Sequence, residues 1–153
     1  QPCSSAASDV YKRQIEYIRQ FMKGKFPGAP KFAVLISDVK DIAKAHVACI
    51  GNNKVGGRRL IVGKDVKRLV ELSQLIAEAM PEYKKKLPTK ELPNLMVKLI
   101  SYIDSSAKTM IPDLGIMMQT DTSYAEEILG FKFKPAKGCI SENAKSVVRL
   151  GLV

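Results

Sequence analysis

Most of the side chains from which catalytic centres are built are scarce in this chain. It holds one histidine, His46, and three cysteines, Cys3, Cys49 and Cys139, far apart and with no Cys-x-x-Cys pair. That spacing argues against a zinc site and against a disulfide framework, and leaves reduced, buried thiols as the expectation. With a single imidazole, a multi-histidine metal centre is excluded in practice. No run of about 18 apolar residues occurs, so no transmembrane helix is expected. The N-terminus also lacks the basic region and apolar stretch of a signal peptide, which makes a cytoplasmic protein the default expectation.

Larger motifs are missing as well. No Gly-x-Gly-x-x-Gly follows a strand and there is no Walker loop, so the chain carries no phosphate cradle for a dinucleotide. Gly-x-Ser-x-Gly is absent, and His46 has no serine or cysteine partner near it in sequence. The residue four places after Tyr11, Tyr17, Tyr83, Tyr102 and Tyr124 is never lysine. A Tyr-x-x-x-Lys pair would put both groups on one helix face, the cation lowering the phenol pKa for proton donation.

What is present is an ordinary globular composition with an excess of positive charge. Of the 153 residues 46% are apolar, enough for one core. Lys and Arg number 25 against 15 Asp and Glu, a formal charge of +10. The positive residues are dispersed, only Lys84-Lys85-Lys86 forms a run, and aromatics are 7%. Nothing resembles a helix-turn-helix or a stacking platform for single strands, so a nucleic-acid partner is not expected.

Residues 1–14, QPCSSAASDVYKRQ, have no amphipathic period joining them to the rest of the chain and read as a translated linker foreign to the fold. From Ile15 onward the spacing predicts a short helix, a loop over KFPGAP, and a buried strand at FAVLI, residues 32–36. Asp38 then caps a helix whose apolar stripe, Val39, Ile42, Ala43, His46, Val47 and Ile50, is expected to face the core. On that stripe a satisfied or half-buried histidine is the expected state of His46. RRLIVG (58–63) reads as a second strand and 65–80 as a long helix stopped by Pro81. PEYKKKLPTKELPN should cross the surface extended, with Asn94 capping LMVKLISYID and SSAKTMIP adding a further turn or two. IMMQ (116–119) is a strand candidate, SYAEEILG a helix stopped by Gly130, FKFKP an edge segment, and Lys137 to Arg149 the last helix. The alternation of strand and helix implies an α/β fold, rich in helix with a few short strands.

Several blocks fall in the order found in one known family. DVKDIAKAHV (38–47), GGRRLIVG, PTKELPNLMVKLISYID, PDLG, TDTSYAEEILGFKFKP and SVVRLGLV together resemble the C-terminal half of extended short-chain dehydrogenase/reductases, of the NAD-dependent epimerase/dehydratase superfamily. The branch they resemble most is that of dihydroflavonol-reductase-like aldehyde and ketone reductases. The resemblance implies a Rossmann-type parent whose dinucleotide-binding domain, with its catalytic Ser, Tyr and Lys, would precede Ile15, leaving 15–153 as the substrate-binding portion. Hydride would pass from NAD or NADP to a carbonyl carbon in that parent, while this portion alone would bind no cofactor and supply no catalytic residue. It implies a small-molecule carbonyl substrate, no membrane partner, and Tyr17, Ile18, Phe21 and Met22 as substrate-binding candidates, although an apolar helical stripe is more often core. A nucleotide-sugar epimerase or dehydratase fragment fits some of the same blocks. A freestanding basic module that binds an anionic partner is the alternative from another class.

Overall fold

The computed structural model describes residues 16, 18–100, 102 and 111–153. Residues 16 and 18–22 are helical (α1) and end at Gly24, whose φ of 70° is open to glycine without strain. The chain then forms β1 (Ala29–Pro30), β2 (Ala33–Ile36), α2 (Val39–Cys49), β3 (Asp65–Arg68), α3 (Leu69–Ala79), β4 (Glu91–Leu92), α4 (Asn94–Ile100), α5 (Ser123–Leu129) and α6 (Ala136–Arg149). The fold is α/β, helix-rich, with few and short strands.

Two small sheets hold the crossings. β1 runs parallel to β4, pairing Ala29 with Glu91 and Pro30 with Leu92. β2 runs antiparallel to β3 in the register Ala33 to Arg68, Val34 to Lys67, Leu35 to Val66 and Ile36 to Asp65. The larger core lies where α1, α3 and α6 meet: Ile18, Phe21, Met22, Leu69, Ile76 and Ala144 are all within it. Each of the larger of these side chains stabilises the fold by about 1.5–3 kcal/mol through burial. A smaller cluster of Ala45, Ala125, Leu129 and Phe133 joins α2 to α5.

The expected helix start at Asp38 holds, since its carboxylate accepts the Lys40 N–H at 2.8 Å. The expected orientation of that helix does not. Val39, Val47 and Ile50 are 49%, 68% and 80% exposed, Ala43 and His46 are exposed too, and the buried positions are Asp41 and Ala45. The period is legible in the sequence, but the face that turns inward is the one carrying an aspartate, because that aspartate has a backbone partner waiting inside. His46 is satisfied, Nδ1 lying 2.8 Å from the Ile42 carbonyl, yet not buried.

Several further expectations are corrected. The strand expected at 58–63 lies instead at Asp65–Arg68, where the spacing predicts the first turn of α3. Val66 fits both a helical stripe and strand alternation, and pairing with β2 decides for the strand. Residues 58–63 form no strand, though Leu60 and Val62 pack on the smaller cluster. IMMQ and FKFKP are likewise irregular, and Ile116, Met117 and Met118 are about half exposed. KFPGAP contributes β1 at its end, and the segment after α3 is not simply extended, for Pro81–Tyr83 is a single 3-10 turn and Leu87 is buried. Asn94 opens α4 from inside it, with the Pro93 carbonyl accepting from Met96 and Val97. Most of the turn expected over SSAKTMIP lies outside the described residues.

Candidate functional site: a donor-rich cleft

The substrate-binding candidates divide between the core and the undescribed part of the chain. Ile18, Phe21 and Met22 are 3%, 0% and 0% exposed, inside the larger core, with Phe21 meeting Phe26 edge-on at 5.2 Å between ring centroids. Tyr17 lies outside the described residues.

The cleft itself opens elsewhere, where the two small sheets meet. It has a volume of about 310 Å³, near the lower end for small-molecule sites. Lys31 and Phe32 come from the link between β1 and β2, Arg68 from the end of β3, Glu91 from β4 and Asn94 from the start of α4. Gly115, Ile116 and Met117 close the other side. Gly115 has φ of 83°, and its N–H donates to the Lys31 carbonyl at 2.6 Å, which ties the far loop to the β1–β2 link. The Asn94 amide faces that loop: its nitrogen would lie 3.9 Å from a Cβ placed on Gly115.

Charge in the cleft is unbalanced. Arg68 approaches Glu91 at 3.5 Å in a partly exposed pair, worth little to stability. Neither the Lys31 ammonium nor the Asn94 side chain has a hydrogen-bond or ion-pair partner among the described residues. Among the described residues no histidine, tyrosine, serine or cysteine lines the cleft. The described lining can therefore bind and orient a ligand through its donors.

A second polar assembly lies around Lys132–Ala136. The Glu126 carboxylate takes the Lys64 ammonium at 2.7 Å, the Phe133 N–H at 3.0 Å and the Lys132 ammonium at 3.0 Å, which together pull its pKa down to about 2. Burial pushes the Asp38 carboxyl up, but the Lys40 N–H and the Lys134 ammonium outweigh it and leave it below the ordinary range. The Lys134 ammonium is shared with Glu142, which together with Asp38 raises its pKa. Cys139 is buried beside this network, and burial pushes its thiol up to about 11. These carboxylates face ammonium and backbone donors, and among the described residues no group of three or more His, Cys, Asp or Glu could hold a metal ion.

The backbone resembles several solved structures, a reductase among them. It superposes with a TM-score of 0.61 on Gre2 from Candida albicans, at 20% identity over 89% of this chain and 37% of that one. The yeast methylglyoxal/isovaleraldehyde reductase Gre2, complexed with NADPH, matches with a TM-score of 0.60 and 23% identity, over 88% of this chain and 39% of that one. The protein gox2253 matches with a TM-score of 0.69 and 16% identity, over 92% and 44%. No protein-family model matches the chain. No curated protein matches it. At these identities the likeness is one of fold, and this chain spans under half the length of each of the three. Among the described residues no helix is long and apolar enough to cross a membrane.

Nothing in the sequence points to the cleft. Its polar residues come from positions 31, 68, 91 and 94, scattered through segments expected to be loop or helix, and only the two sheet crossings bring them together.

Proposed function

We propose that the chain is the substrate-side portion of an NAD(P)-dependent reductase that reduces an aldehyde or ketone by hydride transfer. Within that class the ordered sequence blocks favour the dihydroflavonol-reductase-like branch of the extended short-chain dehydrogenase/reductases. In this reading residues 1–14 are a translated linker, 15–153 complete the substrate pocket, and the dinucleotide-binding domain is encoded upstream. The supporting observation is the fold likeness over 88% of the chain to a reductase held with NADPH.

On the same reading Tyr17, Ile18, Phe21 and Met22 belong to the substrate side of the parent enzyme, and the burial of Ile18, Phe21 and Met22 fixes α1. The chain alone turns nothing over, because it contains neither a Gly-rich phosphate loop nor a Tyr-x-x-x-Lys pair.

The test is to sequence the source DNA upstream of codon 15 and express the longer frame. An in-frame Gly-rich loop and a Tyr-x-x-x-Lys pair within about 170 residues, one domain length, are expected. The longer protein should oxidise NADPH or NADH in the presence of a small aldehyde, and the 153-residue chain should not. A longer frame without those motifs, or without that activity, sinks the proposal.

A further inference from the structure

From the imbalance of donors and acceptors in the cleft we infer that it binds a small organic carboxylate carrying a short apolar tail. Three side chains offer hydrogen bonds there: the Lys31 ammonium, the Arg68 guanidinium and the Asn94 amide. Among the described lining residues Glu91 is the single anionic acceptor, and it already faces Arg68 at 3.5 Å, a contact that engages one guanidinium nitrogen and leaves the others available. A ligand that matches this lining is rich in acceptors. A planar carboxylate meets a guanidinium fork with two parallel bonds and still leaves lone pairs for an ammonium or an amide.

The other wall selects the remainder of the ligand. Phe32, Ile116 and Met117 line it, and the last two are 54% and 47% exposed, apolar surface that a hydrocarbon tail would cover. Inorganic phosphate would satisfy the donors but leave that wall wet. A volume of about 310 Å³ admits only a short tail. The hydrogen bond from Gly115 to Lys31 fixes the two rims relative to each other, so little ordering is needed on binding. This site is independent of the reductase reading, since it calls for no cofactor and no chemistry.

The experiment is a titration of the 153-residue chain, followed by calorimetry and by 1H–15N spectra, with 4-methylpentanoate, its neutral amide 4-methylpentanamide, and inorganic phosphate. Saturable shifts confined to the amides of residues 31–33, 68, 91, 92, 94 and 115–117 are expected with the carboxylate. Binding of the neutral amide should be at least about tenfold weaker, as loss of charge-assisted bonds requires. Phosphate at equal concentration should not displace the carboxylate. Lys31→Gln and Arg68→Gln should each weaken binding about fivefold or more. Lys31 is exposed and outside every strand and helix, so its variant carries the test even where Arg68→Gln lowers stability. Equal affinity for acid and amide, displacement by phosphate, or shifts centred away from the cleft would each overturn the inference.

Discussion

The Asp41 carboxylate accepts the backbone N–H of Lys134 at 2.7 Å, joining residues 93 apart in sequence. On either side the same arrangement recurs: Glu126 holds the Phe133 N–H at 3.0 Å and Asp65 holds the Ala136 N–H at 2.7 Å. Pro135 has no N–H to offer. Every backbone donor from 133 to 136 is thus held by a carboxylate from α2, α5 or β3, which is how an irregular segment can lead into α6 with its polar groups satisfied. Asp41→Ala removes a buried acceptor and strands its donor, and should destabilise the chain by about 2 kcal/mol in urea unfolding. Asp41→Asn, which keeps an acceptor oxygen, should cost less; equal losses would mean that the effect is not the hydrogen bond.

Acid should loosen the same segment through Glu126. Its carboxyl sits at about 2 in the folded chain against 4.5 for the free group, so the folded state binds the proton less tightly than the unfolded one. The stabilisation is complete above pH 4.5 and is lost as pH falls towards 2. Melting temperatures measured from about pH 6 to about pH 2.5 should fall steeply for the native chain and less steeply for Glu126→Gln. Parallel curves for the two would rule Glu126 out as the source.

Core and surface isoleucines should differ sharply. Ile76 is 0% exposed between α3 and α6, and Ile76→Ala should cost about 3 kcal/mol through lost burial and the cavity left behind. Ile50 at the end of α2 is 80% exposed, and Ile50→Ala should change stability by less than about 0.5 kcal/mol. A large loss at Ile50 would show that the outer face of α2 is covered in solution.

Thiol reactivity offers an independent check on packing. Cys139 is 1% exposed with its thiol pushed up to about 11, so at pH 8 about one molecule in a thousand is a thiolate. Cys49, at the end of α2, is half-buried. Mass mapping after brief iodoacetamide treatment at about pH 8 should find Cys49 modified well before Cys139. Modification of Cys139 at the faster rate would mean that α6 opens readily.

The surroundings of Gly63 explain why the second strand begins later than its apolar run suggests. A Cβ there would come within 2.8 Å of both the Leu35 side chain and the Ser37 hydroxyl, and the Ser37 hydroxyl donates to the Val62 carbonyl at 2.6 Å. The chain passes close to β2 at 62–63 without forming a ladder; the Lys64 N–H donates to the Ile36 carbonyl at 3.1 Å, and the pairing runs from Asp65 to Arg68. Nothing in RRLIVG reports that approach, because its apolar, β-branched content is what a strand also requires.

Local chemistry determined the elements whose signals need no distant partner. Asp38 before α2 and Gly130 after α5, at φ of 75°, are legible because caps and stops act within a few residues. The inward set of α6, Ile140, Ala144, Val147 and Val148, is legible because its apolar face is continuous: the first three are buried and Val148 packs against the same core half-buried. Which face of α2 turns inward, where β3 begins and what lines the cleft were settled only by the tertiary structure. In each case the deciding partner lies far along the chain: Lys134 for Asp41, Ala33–Ile36 for Asp65–Arg68, and Lys31 for Gly115. Periodicity records how much of a helix or strand is apolar, but an inward-facing carboxylate is stable only when a buried donor awaits it, and that donor is supplied by folding.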